Sequence, residues 1–197
     1  MARPKKPETP VDPLVSVRNL YYEFLKHLDT TSVNLKAAAE LIEQVNKHKN
    51  AEKLWAGLAA YRDLRGEKTM LMHAVHSKCR PLYEALVKAG ADINCVDKSG
   101  RAVGHYAASG DTGWFIKLVV EEFPSTNLLY LQDDYGQRPI DLAISLNNRD
   151  FIREFESADK VVSKRTEQLV EALTSAVSKY GQRDAAAALQ YVLRGIK

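Results

Sequence analysis

Little in this 197-residue chain suits a cross-linked, membrane-bound or enzymatic protein. Two cysteines, Cys79 and Cys95, exclude a disulfide scaffold and suit a reducing compartment. No apolar run approaches the ~20 residues of a membrane span, and the opening MARPKKPETPVDP lacks the apolar stretch of a secretory leader. The expected location is the cytoplasm, with no membrane partner. An excess of one charge is missing too. The net charge of +3 is far from that of a chain that coats nucleic acid. No G-x-S-x-G, P-loop, H-E-x-x-H or G-x-G-x-x-G occurs, so the common nucleophile, phosphate, zinc and dinucleotide motifs are excluded. The β-branched alternation of a long strand is also lacking, which leaves an all-α chain.

What is present is helical. Residues 1–11 carry three prolines and the cations Arg3, Lys5 and Lys6, and read as a disordered, solubilising tail. Residues 12–62 read as an N-terminal helical cap. Asp12-Pro13 suits a helix start, since proline has no N–H to waste in the first turn. Leu14, Val17, Leu20, Tyr21, Phe24, Leu25 and Leu28 then follow at helical spacing. Thr31 or Ser32 is the expected cap of a second helix, with Leu35, Ala38, Ala39, Leu41, Ile42 and Val45 inside. Asn50 is the expected cap of a third, with Leu54, Trp55, Leu58, Ala59 and Tyr61. Residues 33–62 are either a worn-out first repeat or plain capping helices. From Ser157 onward, Val161, Val162, Leu169, Val170, Leu173, Ala176, Val177 and Tyr180 form one stripe. Gly181 is a natural residue to follow its end, and a last helix spans Arg183 to Arg194. Residues 158–197 thus form C-terminal helices.

The middle of the chain, residues 63–157, repeats itself. Asp63-Leu-Arg-Gly66, Asp97-Lys-Ser-Gly100 and Asp133-Asp-Tyr-Gly136 share D-x-x-G, with glycines 34 and 36 residues apart. Related hexamers follow: Thr69-Met-Leu-Met-His-Ala74, Ala102-Val-Gly-His-Tyr-Ala107 and Arg138-Pro-Ile-Asp-Leu-Ala143. Apolar clusters come next, at Leu82–Val87, Phe115–Val120 and Phe151–Phe155. Glycine permits a tight turn with positive φ. The alanine keeps one helix slim, and the cluster makes a second helix a core element. A single such unit cannot bury its own apolar face, so units must stack.

The pattern resembles the ankyrin repeat. Gly90-Ala-Asp-Ile-Asn94 matches that family's G-A-D-h-N segment. Thr69, Leu71 and Ala74 match its T-P-L-H-x-A helix start, as do His105, Ala107 and Ala108, and Pro139, Ile140 and Ala143. The resemblance covers about half the chain and implies an ankyrin-repeat solenoid between N-terminal and C-terminal capping helices. There are departures. Met70 and Val103 replace the proline, and Met72 and Asp141 replace the histidine. Gly104 stands where a core leucine belongs, which predicts a loose helix start. The second unit ends in Glu121-Glu-Phe-Pro-Ser-Thr-Asn-Leu-Leu-Tyr-Leu-Gln132, with no G-A-D-h-N segment. This loop leaves the turn at 133–136 open.

Catalytic and metal chemistry are weighed against plainer roles. His73, His76 and Cys79 are three apart in steps and so share a face pairwise, but the outer two are about 120° apart on a helix, so all three cannot converge without a helix break. Surface histidines on a binding face are the preferred reading, and Cys95 reads as a small filler. Asp133, beside Asp134, reads as a turn-shaping residue that bonds its own backbone. Ser109-Gly110-Asp111 reads as a helix-end turn, and Asn147 fits the same turn because Asn tolerates left-handed φ. No enzyme activity, cofactor or metal is expected.

The resemblance implies partner binding through turn tips and first-helix faces. Carried residue by residue, that surface comprises Arg65, Lys68, His73, His76, Lys98, Arg101, Tyr106, Trp114, Asp134 and Tyr135. Trp114 is read either as exposed there or as packed on a capping helix or the 121–132 loop. The side chains suit a neutral to acidic partner. The expected function is a non-catalytic module that binds, sequesters or inhibits a partner protein, with a viral, phage or pathogen effector in a host cytoplasm as a sharper form. Two alternatives stand beside it. One is an oligomeric scaffold, a homodimer through the C-terminal helices. The other is a nucleic-acid adaptor using the basic tail and the Lys164, Arg165, Lys179 and Arg183 face.

Overall fold

The computed structural model describes residues 16–28, 33–123 and 127–180. Among them are nine helices and no strand. The only ladder contacts are the isolated bridges Arg62–Thr69 and Val96–Ala102. The tail at 1–11, the Asp12-Pro13 start, Gly181 and the helix expected at Arg183–Arg194 lie outside the described residues.

Helix α1 (Val17–Leu28) buries Leu20, Tyr21, Phe24 and Leu28 along one stripe. Helix α2 (Leu35–Lys47) is capped by Asn34, whose Oδ1 accepts from the Ala37 N–H at 3.0 Å. Asn34 thus holds the cap position of α2, while Thr31 and Ser32 lie outside the described residues. Ala38, Leu41 and Val45 are buried, whereas Leu35 is 46% exposed and Ala39 faces outward. Helix α3 (Ala51–Ala60) begins after Asn50, whose side chain makes no cap bond. It buries Leu54, Trp55, Leu58 and Ala59, and the Trp55 indole donates to Asn46 Oδ1 at 2.9 Å.

Three helix pairs follow: α4 (Met70–His76) with α5 (Arg80–Lys88), α6 (Val103–Ser109) with α7 (Gly113–Glu122), and α8 (Pro139–Ser145) with α9 (Arg149–Tyr180). Helices α4, α6 and α8 pack side by side as one layer, and α7 packs on α9 in a second. Between α5 and α7 the contact is aromatic, with Tyr83 edge-on to Phe115 at 6.0 Å. Helix α1 lies against α4, while α2 and α3 both lie against α5. The core runs without a break from Leu20 to Phe155.

Each short helix of the first layer ends the same way. Lys78, Asp111 and Asn147 adopt left-handed φ of 58°, 52° and 56°. The next residue after each closes the turn: Cys79, Thr112 and Asn148 donate N–H to the carbonyls of Ala74, Ala107 and Ala143 at 2.8–2.9 Å. Polar side chains then tie each pair to its predecessor. Ser77 Oγ donates to Leu28 O, Thr112 Oγ1 to Val75 O, and Asn148 Nδ2 to Ala108 O, at 2.7–2.8 Å. The left-handed residue of the second turn is Asp111, whereas Gly110 keeps an ordinary φ of −83°. Gly110 is needed for space instead, since a Cβ there would lie 2.2 Å from the His76 carbonyl oxygen.

The start of α6 is not loose. Gly104 is buried, and a Cβ on it would meet the Leu128 carbonyl oxygen at 2.3 Å. The Leu128 main chain and the Pro139 ring take the room a side chain at 104 would have filled. Helix α9 also differs from expectation. It runs 32 residues straight through Ser157, because no glycine or proline interrupts Arg149–Tyr180.

The D-x-x-G turns share one mechanism. Asp63 Oδ1 accepts from the N–H groups of Arg65 (2.8 Å) and Gly66 (2.7 Å), and its Oδ2 from that of Lys68 (3.1 Å). Asp97 Oδ1 accepts from Ser99 (2.8 Å) and Arg101 (3.0 Å), and Asp133 Oδ1 from Tyr135 and Gln137 (both 3.0 Å). The turn at 133–136 thus keeps the form of the other two, despite the loop before it. Gly100 and Gly136 carry the positive φ of 70° and 73°, but in the first turn Glu67 does so, at 57°. The Asp133 side chain is fully buried and also accepts from Arg101 Nε at 3.0 Å. Its removal strands several donors at once. Asp133→Ala should lower unfolding stability by about 2 kcal/mol, read as a shift of the urea midpoint, with exposed Asp134→Ala as the near-neutral reference. Equal midpoints for the two variants would show that the carboxylate does not hold the turn.

Candidate functional site

The turn tips and the α4–α6–α8 layer form one face, and α1 adds a wall at its first end. Asp63, Asp97 and Asp133 are spent inward on backbone donors, so the outward chemistry of the turns falls largely to cations and rings, with the exposed acids Glu67 and Asp134 beside them. Arg65 is exposed at the first tip. Leu64 beside it is 80% exposed, and the Lys98 ammonium of the second tip donates to the Leu64 carbonyl at 3.4 Å. At the third tip Tyr135 is 73% exposed and Asp134 is exposed.

Three cations lie over three rings along this face. The Arg18 guanidinium stands 6.0 Å from the Tyr22 ring, Lys68 Nζ 5.6 Å from the Tyr106 ring, and Arg101 6.0 Å from the Tyr135 ring. Such pairs are worth about 0.5–1 kcal/mol when exposed, and they hold long side chains in defined places. Tyr106 is anchored further, because its hydroxyl donates to Asp97 Oδ2 at 2.6 Å. Burial, then that bonded carboxylate, pushes the Tyr106 hydroxyl pKa well above its usual value. Asp63 and Asp133 are held below the usual carboxylate range. Burial pushes each up, but the backbone donors, and Arg101 for Asp133, outweigh it.

The two histidines are half-buried packing residues rather than free surface groups, because α1 and α6 close over their rings. His73 meets the edge of the Tyr21 ring at 6.0 Å, and His76 Nδ1 is bonded to Ser109 Oγ at 2.9 Å. Burial, reinforced by the nearby Lys68 charge, pushes the His73 pKa down to about 4. His76 is shifted the same way, chiefly by burial. Cys79 is buried, and Cys95 is half-buried with its Sγ donating to Asp92 Oδ2 at 3.4 Å. Among the described residues no three His, Cys, Asp or Glu side chains gather as a metal-holding group, and no helix is long and apolar enough to cross a membrane.

Of the ten residues read from the sequence, nine lie on the turns or first-layer helices and Trp114 does not. Trp114 sits on α7 in the second layer, half-buried between the Tyr83 ring at 5.4 Å and the Arg80 guanidinium at 5.9 Å. Both partners belong to the preceding helix pair. The structure adds Arg18, Tyr22 and Leu25, which sequence reading left out of the face. With Arg65, Lys68 and His73 they line a groove of about 750 Å³ between α1 and the first turn. Their i, i+4, i+7 spacing beside the buried stripe of α1 was the available signal. No protein-family model and no curated protein matches the chain.

Proposed function

We propose that this chain is a non-catalytic protein-interaction module, an ankyrin-like stack of helix pairs between helical caps. The observation that carries the reading is the locked face itself. Each turn is tied by its own buried or half-buried aspartate, each short helix is bonded to its predecessor, and the outward side chains include cations, tyrosines and one bare leucine beside the exposed acids Glu67 and Asp134. A face ordered before binding loses little entropy when a partner docks. Arginine and tyrosine are also the side chains that most often anchor interfaces.

The test is capture from a lysate of the native source, read by mass spectrometry, with wild type beside Leu64→Asp/Lys98→Glu/Tyr135→Ala. These three are exposed, so the thermal transition should stay within about 2 °C. The expected result is a partner retained by wild type and lost by the variant. Equal retention would move the site off the turn tips. A second reading, self-association through α9, rests on Val161 and Val170, which are 42% and 56% exposed there. Recovery of the chain alone, as a dimer by light scattering, would favour it.

A further inference from the structure

The groove between α1 and the first turn has a recognisable charge pattern. Arg18, Arg65 and Lys68 line it, and none of them forms an ion pair among the described residues. By contrast, most neighbouring charges are already matched: Lys26 with Glu23 at 2.6 Å, Arg62 with Glu67 at 3.4 Å, and Arg101 with Asp133 at 3.0 Å. One carboxylate, Asp63, lines the groove, and its oxygens are occupied by the N–H groups of Arg65, Gly66 and Lys68. It therefore holds the turn and leaves the cation donors open. The opposite wall is apolar, made by Leu25 and by Tyr22, which is 41% exposed.

We propose that this groove docks an acidic peptide segment of the partner. Carboxylate side chains pair with Arg18, Arg65 and Lys68, and an apolar side chain rests on Tyr22 and Leu25. The proposal rests on the interaction-module reading and adds where the partner enters and what chemistry it presents. Three unpaired cations around one apolar wall complement a chain that alternates acids with apolar residues. A nucleic acid fits less well. Single strands bind by stacking bases on aromatic faces. Here Tyr22 is the one exposed ring in the groove lining, too few for successive bases, since His73 is half-buried against Tyr21 and Lys68 covers the Tyr106 face. The groove volume of about 750 Å³ suits one short segment. From its mouth, Leu64 and Lys98 continue the same pairing of apolar and cationic groups along the tips.

The test is fluorescence anisotropy on the full chain, using a dye-labelled octapeptide of six glutamates and two leucines. Its counterpart carries glutamine in place of glutamate. The glutamate peptide should bind, at least about ten-fold more tightly than the glutamine peptide, and weaken as salt rises. Arg18→Glu/Arg65→Glu should lower its affinity by at least about ten-fold. Exposed Lys88→Glu, on the second layer, should leave it unchanged. The milder Arg18→Gln/Arg65→Gln pair repeats the test in case charge reversal disturbs folding. Equal binding by wild type and both groove variants, or equal binding of the two peptides, would overturn the proposal. Tighter binding of an oligothymidylate of equal charge would overturn it in favour of nucleic acid. If the peptide fails while the tip variant still loses its captured partner, only the groove assignment falls. If the peptide binds but no capture depends on the tips, the broader reading falls instead.

Discussion

Gly110→Ala is expected to destabilise the fold by about 3 kcal/mol, through crowding alone. The backbone at Gly110 has an ordinary φ of −83°, so alanine meets no conformational penalty there. What it meets is the preceding turn. Its Cβ would lie 2.2 Å from the His76 oxygen and 2.8 Å from the His76 carbonyl carbon, both main-chain atoms that cannot swing aside. To make room, the end of α6 must move off the end of α4. That pulls on the Thr112–Val75 hydrogen bond of 2.8 Å and on His76–Ser109. The reference is Gly90→Ala. Gly90 has φ of +86° with nothing within 4 Å of the added atom, so it should cost only the left-handed strain of about 1–2 kcal/mol. Urea titrations of the two variants decide the matter. If Gly110→Ala is the milder one, the close approach of the two turns is not a constraint.

His73 should make stability fall as pH is lowered, in a window above the one set by the carboxylates. Its folded pKa of about 4 lies below the ordinary value of 6.5, so the unfolded chain takes up the proton first. The stabilising contribution is therefore complete above about pH 6.5. It is lost as pH falls toward 4, by at most about 3 kcal/mol. Burial against Tyr21 is the main cause and the Lys68 charge adds to it, with Asp63 opposing. His76 contributes with the same sign. Asp63, Asp133 and Asp141 have pKa values below the ordinary 3.8, so their losses come at lower pH and do not overlap most of this window. Between pH 7 and pH 4.5, His73→Gln should remove about 2 kcal/mol of the wild-type loss. The same slope in both proteins would show that His73 is solvated rather than enclosed.

The helical class and the positions of the three turns were legible, because both are written locally. An aspartate that accepts from its own backbone two to five residues on needs no distant partner, and an alanine-lined short helix declares its slim face. The exceptions are residues whose role is set by a neighbour far along the chain. Gly104 looked like a defect until the Leu128 carbonyl, 24 residues on, was seen to occupy its missing side chain. Ser109-Gly110-Asp111 read as a helix-end turn, but its sequence did not tell that Asp111 takes the left-handed φ while Gly110 serves the approach of His76. The same limit applies to the candidate site. Arg18 and Tyr22 precede the first turn by some 40 residues and reach it only because α1 packs on α4. For Trp114 the sequence left exposure and packing both open, and it is half-buried beside Tyr83 and Arg80.

The turn-to-turn bonds set a spacing that a partner has to obey. Lys98 N donates to Gly66 O and Asp134 N to Ser99 O, each at 3.0 Å, so adjacent tips are joined by main chain as well as by side chains. Side-chain substitutions at the tips therefore leave the intervals between them intact. The face behaves as a ruler whose marks can be repainted but not slid. A partner evolving against it can change its contacts one tip at a time, whereas a residue inserted between two tips would put every later mark out of step.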